Sequence, residues 1–202
     1  MNRRVLSIAL FFSVSTSTFA KVSTEERYAH LLQLRTGASH LNKKSPLDQA
    51  YLDAVQLLEQ PGQCSAFFGG SEAVTVLDSL VAQLHEERIN DTFIGIRMGG
   101  DFMVRVVGTN LRFRVFDDAQ LNINGPFKKA KVFPDEPFVP RVGSFLPNTR
   151  EVRVLILLHE LGHMIASRNG KWLLPDDGTS PAQSRENTKI VERNCGAQIR
   201  TL

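Results

Sequence analysis

Between Asn148 and Gly170 the chain reads NTREVRVLILLHELGHMIASRNG, and this stretch constrains the fold more than any other. Asn148 stands at a capping position with Glu151 three residues on, no strong breaker interrupts Arg150 to Asn169, and Gly170 is a natural stop. One long helix is expected there. The turns from Val152 to Leu158 are almost wholly apolar, so this helix must be buried by the rest of the chain.

Within it lies His159-Glu160-Leu161-Gly162-His163. Side chains four apart on a helix leave the same face roughly 6 Å from each other, so both imidazoles can reach one Zn²⁺ at ~2.0–2.1 Å. Glu160 is offset around the helix and reaches toward a water on the metal rather than the metal itself. Zinc lowers the pKa of such a water toward ~7, and the carboxylate can take its proton and pass it to a leaving amine. Gly162 leaves room for another backbone to approach. Two hydrogen-bonded core histidines would be the plainer account, but it leaves a carboxylate buried without a partner in a very apolar helix, at a cost of several kcal/mol.

The remaining sequence suggests an α+β chain: N-terminal helices, a small, mostly antiparallel twisted sheet, the buried helix and a C-terminal helix. Ser23-Thr24-Glu25-Glu26 and Ser45-Pro46-Leu47-Asp48 open helices that end near Thr36–Gly37 and Gln60, the second burying Tyr51, Ala54, Leu57 and Leu58. Ser71 to Glu87 reads as a third helix, with Val74, Leu77, Val81 and Leu84 on one face. After Asn90 the period drops to two, predicting strands over 93–98, 102–107, 111–116 and 119–124, with turns at Gly99-Gly100 and Gly108-Thr109-Asn110. The proline-rich 125–147 segment reads as an extended connection with a short strand at 130–133. A last helix over 184–199 places Asn187, Val191, Cys195 and Ile199 on one stripe.

The chain has 202 residues, 42% hydrophobic and 22% charged, with 14 Gly and 9 Pro, which excludes disordered, collagen-like and coiled-coil classes. Two arginines, an apolar run from Val5 to Val14 and Thr18-Phe19-Ala20 have the layout of a signal peptide cut after residue 20. The run is too short to cross roughly 30 Å of hydrocarbon, so no stable membrane anchor is expected. The expected organisation is a leader over 1–20 and a single domain over 21–202, in a secreted or periplasmic protein. Removing the leader takes two of 24 basic residues and leaves 22 against 21 acidic ones, and no basic cluster interleaves with aromatics. Nucleic acid is therefore not an expected partner. Export permits a disulfide between Cys64 and Cys195, the alternative being two buried thiols.

The HELGH helix resembles that of the HExxH metallopeptidases, the zincins. That resemblance implies a twisted sheet before the helix, an edge strand that aligns peptide substrates, His159 and His163 as zinc ligands and Glu160 as general base. The layout is also similar to small exported bacterial proteins with an HELGH helix and a C-terminal Asn-Thr…Val…Cys helix, a likeness that implies no activity. The sequence departs from the metzincins, since Met164 to Gly170 offers no third His or Asp at their spacing. No histidine follows His163, so the third ligand is a carboxylate or lies upstream. Glu186 or Glu192 would be gluzincin-like, but both flank the buried stripe of the last helix. Asp177, with Asp176 next, sits in a Pro-Asp-Asp-Gly turn that can fold back over the helix end, as in aspzincins; a solvated turn is the alternative. Asn187 is expected to orient a ligand. His30, His40, His85, Asn122, Asn124 and Trp172 are expected in structural roles.

These features predict an exported zinc-dependent hydrolase acting on peptide or protein substrates. The competing reading is a non-catalytic binding module that keeps the His pair around a metal. The oligomeric state is not legible.

Overall fold

A computed structural model describes residues 23–36, 45–108, 110–133, 135 and 138–202. The leader, Gly37, His40, Thr109, Pro134 and Pro137 lie outside the described residues. The fold is α+β, as expected. Its elements are α1 (Thr24–Arg35), α2 (Pro46–Glu59), α3 (Gln63–Phe68), a 3-10 turn (Gly70–Glu72), α4 (Ala73–Gln83), β1 (Leu84–Glu87), β2 (Ile96–Val107), β3 (Leu111–Asn122), α5 (Arg150–Met164) and α6 (Pro181–Ile199). Both N-terminal capping boxes form: Ser23 with Glu26, and Ser45 with Asp48, which starts α2 at Pro46.

Three expectations for the chain before α5 need correction. The third helix stops at Gln83, because Leu84 turns extended and residues 84–87 pair in parallel with Ala119–Asn122 of β3. Pairing in the sheet overrides the helix propensity of the Leu-His-Glu-Glu run. The four short strands are two long ones in the order β1-β3-β2. β2 passes through Gly99-Gly100 as a bulge, where the register shifts and Gly100 has φ 78°, and β3 has no break after Phe116. The hairpin from Val107 to Leu111 is where it was predicted. Finally, residues 130–133 form no strand; Ala130 only accepts a backbone bond from Val139.

Helix α5 fills the centre of the molecule. Val152 and Val154 to Leu158 are all buried in one continuous core cluster that draws on every helix and all three strands. Its cap is Thr149, one residue later than expected, with the hydroxyl accepting from Val152 N–H. Asn148 instead takes φ 61°, donates its N–H to Pro126 C=O and accepts from Arg153. The helix also ends six residues before Gly170. Ile165 turns extended to pair with Phe113, and Ala166 N–H donates to Arg112 C=O. β3 has a free backbone edge at that point, and satisfying it outcompetes another helical turn.

Cys64 and Cys195 form a disulfide that ties α3 to α6 across 131 residues. Val191, Cys195 and Ile199 are buried on α6, with Asn187 on the same stripe, as the spacing implied. No described helix is long and apolar enough to cross a membrane.

Candidate metal centre

After Ile165 and Ala166 the chain turns through Ser167–Gly170, where Gly170 has φ 80°, and runs back against itself. Leu173 N–H donates to Ile165 C=O and Leu174 N–H to Gly162 C=O. This return path explains Gly162. A Cβ there would lie 2.6 Å from the Leu174 side chain, so any larger residue would push the returning chain off the helix. Two residues beyond Pro175, the path brings Asp177 over the last turn of α5.

There the donors converge. His159 Nε2 and His163 Nε2 stand 3.1 Å apart, and Asp177 Oδ2 lies 3.3 Å from the first and 3.6 Å from the second. Among the described residues this is the one group of three potential metal ligands. Donors placed about 2.0–2.1 Å from a zinc ion at tetrahedral angles lie roughly 3.3–3.4 Å from each other. The three observed edges bracket that value, so the donor set fits the ion in number, chemical type and size. Both histidines are buried, while Glu160 is half-buried and the Asp177 side chain is 23% exposed. The site therefore reaches solvent on its carboxylate side.

The electrostatics agree with that geometry. Burial raises the Asp177 carboxyl, but hydrogen bonds and charge from His159 and His163 outweigh it and hold the group well below the usual carboxylate range. Burial depresses the His163 imidazole, and Asp177 and Glu160 more than reverse this. Burial pushes Glu160 up, against the pull of both histidines. Among the described residues no side chain hydrogen-bonds the Glu160 carboxylate, which leaves it available to a third party.

Comparison with protein-family models, curated proteins and solved structures gives no match.

Asp176 and Asp177 divide their roles sharply. Asp176 turns away from the histidines and forks onto Arg114, whose hydrogen bonds lower its pKa. Asn187 is fully buried, but it holds the return path rather than an imidazole: its Nδ2 donates to Pro175 C=O and its Oδ1 accepts from Gln183. Glu186 pairs with Lys189 on the surface, and Glu192 with Ser144 and Arg200, so neither joins the cluster. His30 faces Asp48, and His85 faces Asp118. Asn122 closes the turn before Gly125 through Ile89, Asp91, Ile94 and Asn124.

Two residues at the site were not foreseen. Thr188 Oγ1 donates to Ser184 C=O at 2.9 Å, so it acts as acceptor toward His159 Nδ1, 3.1 Å away. A neutral His159 held this way carries its proton on Nδ1, and its Nε2 lone pair would face a cation placed among the three donors. His163 lacks such a partner: its Nδ1 is buried without a hydrogen bond. The second residue is Arg114, buried on β3 against the end of α5. Thr188 left a signal, lying three and seven residues before Val191 and Cys195 on the buried face of α6. Arg114 left none, since a basic residue within a strand ordinarily faces water.

Proposed function

We propose that the chain is an exported, zinc-dependent hydrolase of amide bonds, most simply a peptidase. The observation that carries this reading is the convergence of His159, His163 and Asp177 at 3.1–3.6 Å with the unpaired Glu160 carboxylate beside them. Three protein ligands leave a tetrahedral ion one position for water or substrate, the arrangement of catalytic rather than structural zinc. Zinc held there would polarise a carbonyl and bring the pKa of a water toward ~7.

The chain's own residues do the rest. His159, with Thr188 fixing its tautomer, His163 and Asp177 hold the ion. Glu160 takes the proton of the attacking water and delivers it to the leaving nitrogen, a role worth typically 10²–10⁴ in rate. β2 is one of the two outer strands of the sheet, and its residues from Asp101 to Val106 are exposed. Its Phe102 ring packs against Arg114 and Trp172, which places this edge next to the end of α5. An extended substrate can add to such an edge through backbone hydrogen bonds. The Cys64–Cys195 disulfide supports an oxidising destination, in line with the leader-like first twenty residues.

Purified protein should carry close to one zinc per chain, and His163→Ala should lose it; a wild type that takes up no metal rejects the site. Glu160→Gln should retain the metal while hydrolysis of a denatured protein falls by at least a hundredfold. If the metal-loaded wild type is as inert as Glu160→Gln, the non-catalytic binding module is the correct reading.

A further inference from the structure

Among the described residues Arg114 is the largest side chain to be almost completely buried. Its guanidinium carbon lies 4.5 Å from the Trp172 ring centre, 4.8 Å from Phe116 and 5.3 Å from Phe102. That aromatic box leaves the group little freedom to turn. Its Nε–H donates to the His163 carbonyl at 2.8 Å, one of the backbone acceptors that the end of α5 leaves without a helical partner. Both terminal nitrogens donate to Asp176, so the carboxylate is gripped as a fork. One rigid cation on β3 thus holds the carbonyl of one candidate ligand and the residue beside another.

We infer that Arg114 is a positioning residue for the metal: it locks the 175–178 turn against the end of α5 so that Asp177 Oδ2 completes the site begun by His159 and His163. The inference rests on the reading that these three residues bind a metal. The backbone makes the coupling direct. Asp176 and Asp177 are adjacent, so a fork that fixes Asp176 against β3 also fixes the backbone from which Asp177 reaches the histidines. Asn187 holds the same turn from the other side through Pro175 C=O. Lysine cannot replace Arg114, because a single ammonium can neither grip Asp176 as a fork nor fill the space between the rings.

The test uses the full mature chain, stripped with a chelator and titrated with Co²⁺ alone against a chromophoric competitor. Arg114→Lys and Asp176→Ala should each weaken Co²⁺ binding by about 10–100-fold. Each should also change the visible cobalt band, because the carboxylate no longer holds its place among the ligands. Asp176→Ala leaves the buried Arg114 guanidinium without its carboxylate, so far-UV circular dichroism checks the fold of both variants. Asp176→Asn, which keeps an acceptor for a terminal N–H, replaces either one that does not fold. Asp53→Asn, which removes the matching fork at the other end of α5, should lower the Tm and leave affinity and spectrum unchanged. The inference is overturned if Asp176→Ala binds Co²⁺ like the wild type while Asp177→Ala does not, in which case the metal site stands without Arg114. It is overturned equally if Asp53→Asn weakens binding as much as Asp176→Ala does. Should Asp177→Ala and His163→Ala both bind like the wild type, the metal reading itself fails and takes this inference with it.

Discussion

At its first residue α5 is held by Arg150, whose Nε and one terminal nitrogen donate to both oxygens of Asp53 on α2 at 2.7 Å. At its last turn it is held by Arg114, which forks onto Asp176 and also takes the His163 carbonyl. The two forks share their chemistry and invert their burial. Asp53 is 3% exposed and Arg150 44%, whereas Arg114 is 2% exposed and Asp176 66%. In each pair the buried partner belongs to a rigid element, α2 or β3, and the exposed partner belongs to the part being held. The first fork secures the start of a helix and so serves the fold. The second secures a turn that carries a candidate ligand and so serves the site.

This contrast predicts effects of different kind. The largest belongs to the first fork. Arg150→Ala leaves the Asp53 carboxylate buried with only Gln49 donating to it. Removing one member of a buried pair costs about 3–5 kcal/mol, and water reaching the vacated surface keeps this case near the lower figure. Urea unfolding of the zinc-free protein should show a loss of about 3 kcal/mol with no change in Co²⁺ affinity measured below the transition. A variant that loses affinity in proportion to stability would erase the distinction between the two ends.

A smaller effect is expected where the returning chain crosses α5. Gly162→Ala sets a methyl 2.6 Å from Leu174 Cδ1. Leu174 is fully buried and cannot swing away freely, so overpacking should cost about 1–3 kcal/mol. Here stability and metal affinity should fall together, because the displaced segment leads directly to Asp177. Thermal unfolding with and without zinc measures both: the stabilisation contributed by zinc should shrink in the variant. An unchanged zinc contribution would mean that the turn holds its place without the Leu174 contact.

Those crossing points also mark what could be read from the sequence. The His159–His163 pair was legible because its geometry is local, set by the helical repeat alone. Asp177 was legible because a short chain following a helix end has few places to go. The end of α5 was not: nothing in Ile165-Ala166-Ser167 opposes a helix, and only the free edge of β3 draws those residues away. The same cause hid β1, whose residues are good helix formers until Ala119–Asn122 offers a partner. Arg114 stayed hidden because its neighbours Trp172 and Asp176 come from a segment more than fifty residues away, brought there by that same return path. Local rules placed the candidate ligands, and non-local pairing set what surrounds them.

The smallest predicted effect asks whether α6 shares in the work of the second fork. Thr188 touches His159 from the side opposite the cluster, and it is the only described partner of that Nδ1. Valine has nearly the same shape without the hydroxyl, so Thr188→Val should keep the packing while leaving Nδ1 buried and unpaired. The loss in the zinc-free protein should be about 1 kcal/mol, since a neutral hydrogen bond is removed. Co²⁺ affinity should fall roughly tenfold, because the tautomer that points Nε2 toward the metal is no longer favoured. Serine at the same position restores the hydroxyl but not the methyl and should recover most of the affinity. If Thr188→Ser remains as weak as Thr188→Val, the contribution of α6 is packing against the imidazole, and the second fork alone orders the site.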